Sequence, residues 1–126
     1  MNKQIKTFEW SAPSNDIHSF DPQLATIVGI SAAILYNSIC LILLDVHRQE
    51  ANTHLGKTWH RFPIEAFAEA FPYFTKAMIS YALAKLVKRK IILKKKFPSD
   101  RSAWYALENQ EVLEVNAPKI GAPLIF

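Results

Sequence analysis

From Pro22 to Leu44 no residue carries a charge. A stretch of that length is costly to leave in water, and it reaches the length that crosses a bilayer. Gln23, Thr26, Gly29, Ser31, Asn37 and Ser38 fall inside it, and no Lys or Arg stands close before it to set an orientation in a membrane. The pattern therefore predicts a core helix, hydrophobic on nearly all sides, and no membrane span. Asp21 and Pro22 supply its start, the one capping orphan amides and the other suited to the first helical position. Gly29 followed by Ser31 predicts a break, with Ser31 capping a second helix to roughly Arg48. In a chain of 126 residues, one domain by size, such a helix has few partners, so part of it is expected to pack against a second copy in a homodimer.

Around this helix the chain divides into an N-terminal arm (residues 1–20), a folded domain (21–107) and a C-terminal tail (108–126). Pro13, Ser14 and Asn15 mark the arm as a turn or flexible segment. "EANTHLGKTW" reads as a loop and "KTWHRF" as a short extended piece. "PIEAFAEAF" carries Ile64, Phe67, Ala68 and Phe71 at helical spacing after Pro63 at a first helical position, and "PYF" ends that helix. Thr75 caps the next, where Ile79, Leu83, Leu86 and Val87 form the inward stripe. "IILKKKF", "PSDR" and "SAWYAL" then read as strand, turn and returning strand. "ENQEVLEV" is a helical turn or two, and the final "NAPKIGAPLIF" is extended.

The charge is segregated along this pattern. Between Lys76 and Arg101 there are nine Lys or Arg against one acid, Asp100; the rest of the chain has six bases and ten acids. The segment is thus +8 and the remainder −4. A field so localised attracts polyanions.

The order of elements is a helix, a short strand, a helix–turn–helix pair over 63–71 and 75–89, and a hairpin. That is a mainly α fold with a small β-hairpin wing, the winged helix-turn-helix layout, whose second paired helix lies in the DNA major groove. The DNA-binding residues it selects are Lys76, Ser80, Tyr81, Lys85, Lys88 and Arg89 on the helix, and Lys94, Lys96 and Arg101 on the wing. Lysine and arginine neutralise phosphates, and polar or aromatic groups on the outward helical face reach base edges or sugars. Strict alternation aims Lys94 and Lys96 to one side of the strand and Ile91, Leu93, Lys95 and Phe97 to the other. Arg101 falls at the wing tip, within reach of a minor groove.

"LATIVGISAAILYNSICLILL", "GKTWHRFPIEAFAEAFPYFTKAMISYALAKLVKRKII" and "DRSAWYAL" together resemble the N-terminal winged-helix domain of phage and plasmid replisome organisers. The shared features are a hydrophobic first helix, a Gly-Lys-x-Trp lead-in, the Phe-Pro-Tyr-Phe-Thr turn, a basic helix end and a wing closing on Trp-Tyr. The resemblance covers roughly residues 24–107. It implies binding of duplex DNA at an origin, with Lys76, Ser80, Tyr81 and Lys85 on the reading helix. Members of that family usually continue into a second region that engages replication partners. The motifs also shade into small winged-helix transcription regulators.

Other chemistry finds little footing. The spacings among His18, His47, His54 and His60 match no standard metal motif, and with Cys40 as the sole cysteine no Cys-based zinc site or internal disulfide forms. There is no Gly-rich phosphate loop and no Ser or Cys elbow, so neither an enzyme, a cofactor nor a small-molecule substrate is expected. Trp59 and Trp104 are expected in the core and at the wing base. "MNKQIKTFEWSAPSND" lacks the apolar core of a secretory signal, which leaves a cytoplasmic, nucleoid-associated home as the expectation. The competing expectation is a winged helix that docks on another protein without binding DNA.

Overall fold

Gly29 divides the uncharged stretch in two. The structure, a computed structural model, describes residues 18–96 and 103–116. Helix α1 (Pro22–Val28) is capped by the Asp21 carboxylate, which accepts from the Gln23 amide at 2.9 Å. Helix α2 (Ile30–Arg48) begins directly after Gly29. Gly29 donates its amide to the Ala25 carbonyl and accepts from the Ala33 amide, so one residue closes α1 and opens α2. Its φ of 92° and ψ of 159° belong to a region that is essentially glycine's alone. Ser31 is therefore not the cap that the sequence predicts: it lies inside α2, and Gly29 holds the N-cap position with no side-chain bond.

Helix α2 is the axis of the core. Ala32, Ala33, Leu35, Ile39, Ile42, Leu43 and Leu44 are buried along it. It is apolar on most sides because elements of its own chain pack on it: α1, two of the later helices and two of the short strands touch it. By length and composition alone it would also cross a membrane, yet half of that apolar window is buried inside the fold.

Beyond Gln49, a hairpin stands where the sequence predicts a loop leading into a short extended piece from Lys57. Strands β1 (Thr53–His54) and β2 (Lys57–Thr58) pair antiparallel across Leu55 and Gly56. Both turn residues have positive φ, 54° and 77°, which is the requirement of a tight two-residue hairpin turn. Strand β3 (His60–Arg61) follows, then α3 (Ile64–Ala70), with Pro63 at the N-cap position rather than the first helical one. Helix α4 (Lys76–Lys88) starts at Thr75, whose hydroxyl accepts from the Met78 amide at 3.0 Å. Phe62, Phe67, Phe71 and Phe74 form a run of ring contacts between α3 and the rest of the core, with neighbouring centroids 5.6 to 6.5 Å apart. His18 seals the outer end of that run, its ring tilted against Phe71 with centroids 4.5 Å apart and hydrogen-bonded through Nδ1 to the Tyr73 hydroxyl.

Helices α2 and α4 stop in the same way. After α4, Lys90 takes φ 60°, its amide donates to Val87 and the Ile91 amide to Leu86. After α2, Glu50 takes φ 56° with the matching bonds from Glu50 to His47 and from Ala51 to Val46. This is the Schellman closure, built with a charged residue in the place glycine usually holds.

Strands β4 (Ile92–Lys95) and β5 (Trp104–Leu107) complete an antiparallel sheet in the order β3-β5-β4. Lys94 and His60 both sit opposite Tyr105, and Lys95 and Arg61 both sit opposite Trp104. The chain is thus helix-rich with a small antiparallel sheet. The packed body also extends past residue 107, the boundary set from sequence. Helix α5 (Glu111–Asn116) lies against α2 and buries Leu113 to 1 % exposure.

Candidate nucleic-acid interface

Helix α4 has an inner and an outer side. Ile79, Ala82, Leu83 and Leu86 point into the core. Ala77, Ser80, Tyr81, Ala84 and Lys88 are exposed on the opposite side, Tyr81 to 69 %. The two flanks of that exposed face border two clefts of different chemistry.

The larger cleft, about 540 Å³, lies between α3, α4 and β4. Its floor is apolar, made by Phe62, Ile64, Leu83, Val87, Ala103 and Tyr105. Lys88, Lys94 and Lys96 line it, with Ser80 and Ala84 on the helix side and Glu65 as the acid on the α3 side. Ile92 is buried, so the alternation of the strand turns Lys94 to the side of the sheet where α4 lies. Lys95 falls on the other row, half-buried beside Trp104 and Arg61 in register.

The smaller cleft, about 190 Å³, lies where α1 meets α2 and is lined by Gly29, Ile30, Met78, Tyr81 and Lys85. Ile30, Met78 and Tyr81 are exposed around it, between 42 and 69 %, and Ile27 on α1 is exposed as well. Lys85 does not project from the helix as the sequence pattern implies. Its ammonium donates to the Val28 carbonyl at 3.0 Å and sits 5.0 Å from the centre of the Tyr81 ring. It caps the open end of α1, a job for which a cation is well suited.

The nine selected residues therefore separate. Ser80, Lys88, Lys94 and Lys96 come together on the larger cleft. Tyr81 and Lys85 border the smaller one. Lys76 is exposed at the start of α4, with its ammonium 4.0 Å from Glu65, and Arg89 is exposed at the helix C-cap. Arg101 and the turn around it lie outside the described residues, as do Phe97 and most of the N-terminal arm and C-terminal tail.

What the sequence did not disclose is the apolar floor. Ile64, Val87, Ala103 and Tyr105 read individually as core positions, and only the angle between the helices and the sheet leaves their edges open. Tyr105 has its hydroxyl pKa raised by burial. His60, across the strand from it, is pushed down to about 4, chiefly by burial and then by Arg61, and its Nδ1 is buried without a hydrogen-bond partner. Burial also lifts the Cys40 thiol to about 12, so it stays protonated and poorly nucleophilic. Among the described residues no group of three or more His, Cys, Asp or Glu could hold a metal ion. No family model, no curated protein and no solved structure matches the chain.

Proposed function

We propose that this chain is a winged-helix protein that binds double-stranded DNA, with α4 in the major groove and the β4–β5 hairpin as the wing. The observation that carries the reading is the convergence of Lys88, Lys94 and Lys96 on one cleft beside the exposed face of α4. The element order supports it: β3, the α3–α4 pair and then β4 and β5, with β5 in the middle of the sheet, is the order a winged helix requires. A duplex edge laid along α4 would bring one phosphate strand to those lysines while Ser80 and Tyr81 face the bases. Lys76 and Arg89 at the two ends of α4 would extend the backbone contact. Acting in the cytoplasm as a homodimer, such a protein of a phage or other mobile element would serve replication or transcription control and would need no cofactor and no catalytic group.

Titration of duplex DNA against the full chain at several salt concentrations tests this. Binding at low salt is expected, with a log–log salt slope that flattens by about 0.9 for each phosphate contact removed, as in Lys94→Ala with Lys96→Ala. Absence of any duplex binding at low salt, or a slope indifferent to those two changes, refutes it. A second reading rests on the exposed apolar residues Ile30, Met78 and Tyr81 at the smaller cleft, with Ile27 on α1: a module that docks on another protein without binding DNA. A partner complex that survives high salt, with no duplex binding, would favour that reading.

A further inference from the structure

The cleft between α3, α4 and β4 holds more than phosphate contact requires. A duplex backbone meets lysines through charge and released counterions, and neither needs a hydrocarbon floor. Yet Ile64, Val87 and Ala103 keep half-buried apolar surface open along the cleft, with Phe62, Leu83 and Tyr105 beneath. Apolar surface left in water is unfavourable, and an apolar occupant relieves it. The volume, about 540 Å³, lies in the range of small-molecule sites.

The rim sets the charge of that occupant. Lys88 comes from the end of α4, Lys94 from β4 and Lys96 from just beyond it. All three are exposed, and none has an ion pair or hydrogen bond among the described residues. The acid in the lining is Glu65, whose carboxylate lies 4.0 Å from the Lys76 ammonium. Three unpaired ammonium groups above a hydrocarbon floor complement a molecule with an apolar body and one anionic head. We propose that this cleft binds a small amphiphilic carboxylate, its acyl chain on the floor and its head among Lys88, Lys94 and Lys96. The same lysines carry the duplex-DNA reading above, so carboxylate and duplex exclude one another. That exclusion rests on the DNA reading; the carboxylate site does not.

Octanoate is the probe, with octanol as the same chain without the charge and acetate as the head without the chain. Each is titrated into the full chain at low salt, and binding is followed through amide signals in nuclear magnetic resonance. Octanoate is expected to shift the signals of Val87 and Ala103 saturably and to bind on the order of tenfold more tightly than octanol. Acetate should shift neither. In Lys94→Ala with Lys96→Ala, both at exposed positions, octanoate should bind no better than octanol, with helical content checked by circular dichroism. Octanoate that binds no more tightly than octanol, that shifts signals elsewhere, or that ignores the lysine changes overturns the carboxylate site. A second titration adds octanoate to the chain with labelled duplex, and loss of bound duplex is expected. If duplex binds and octanoate does not, the carboxylate site is wrong and the DNA reading stands. If octanoate binds and no duplex does, the DNA reading falls and the site stands. Both bound at once overturns the exclusion.

Discussion

Gln110 grips Thr58 at two points: its Oε1 accepts the Thr58 backbone amide at 3.0 Å, and its Nε2 donates to the Thr58 hydroxyl at 3.0 Å. The same hydroxyl lies 3.2 Å from His47 Nδ1, so residues from α2, β2 and the start of α5 meet on one oxygen. Thr58 is 1 % exposed, and water does not replace what is lost there.

Thr58→Val keeps the shape and deletes that oxygen. It is expected to destabilise the fold by about 1–3 kcal/mol, read as a lower urea midpoint with the slope unchanged. Gln110→Ala should cost a comparable amount. The double variant should cost less than the sum of the two, because both changes break the bond from Gln110 Nε2 to the Thr58 hydroxyl.

Gly29→Ala introduces a side chain at φ 92° and ψ 159°. Crowding is not the difficulty: a Cβ there meets nothing nearer than Lys85 Nζ at 3.6 Å, an ordinary contact. The backbone conformation is, and about 1–3 kcal/mol of lost stability is expected, measurable as a fall in Tm by calorimetry.

Leu55→Asn should act in the opposite direction. Leu55 holds φ 54° in the β1–β2 turn and is 78 % exposed, so it bears conformational strain and contributes little burial. Asparagine ahead of Gly56 suits that turn, and a gain of about 1 kcal/mol in urea unfolding is expected.

His60 gives stability a pH dependence. Its folded pKa is lowered from the model-peptide 6.5 to about 4, mainly by burial. The unfolded chain thus takes up a proton at a pH where the folded chain does not, and stability rises with pH across that window. The contribution is fully present above about 6.5 and is lost as pH falls from there toward about 4, a change on the order of 3 kcal/mol. His60→Gln should remove this part of the pH dependence of the urea midpoint between those values. A variant whose midpoint follows pH as steeply as the parent would contradict it.

The helices were legible in the sequence because their signals are local. Asp21 before Pro22 and Thr75 before the α4 stripe mark starts that the folded chain uses, with both side chains bonded as caps. The long uncharged run fixed the central helix for the same reason. The β1–β2 hairpin was hidden because each strand has two residues and a leucine holds a turn position that asparagine normally advertises. The docking of α5 was hidden because one buried side chain, Leu113, is too short a periodic signal. In the candidate site, Lys94 and Lys96 were separable from Lys95 by strand alternation alone. The retreat of Lys85 was not foreseeable, since its partner is a backbone carbonyl at the end of α1, brought near only by tertiary packing.

The order β3-β5-β4 makes β5 the inner strand and leaves β4 on a border of the sheet, with Lys94 and Lys95 in it and Lys96 just beyond. An open border of this kind invites strand addition from another molecule, and a row of ammonium groups repels it. Lysines along this border would therefore disfavour strand-to-strand association whenever no polyanion covers them. Neutralising them all would be expected to cost solubility as well as any hold on a ligand.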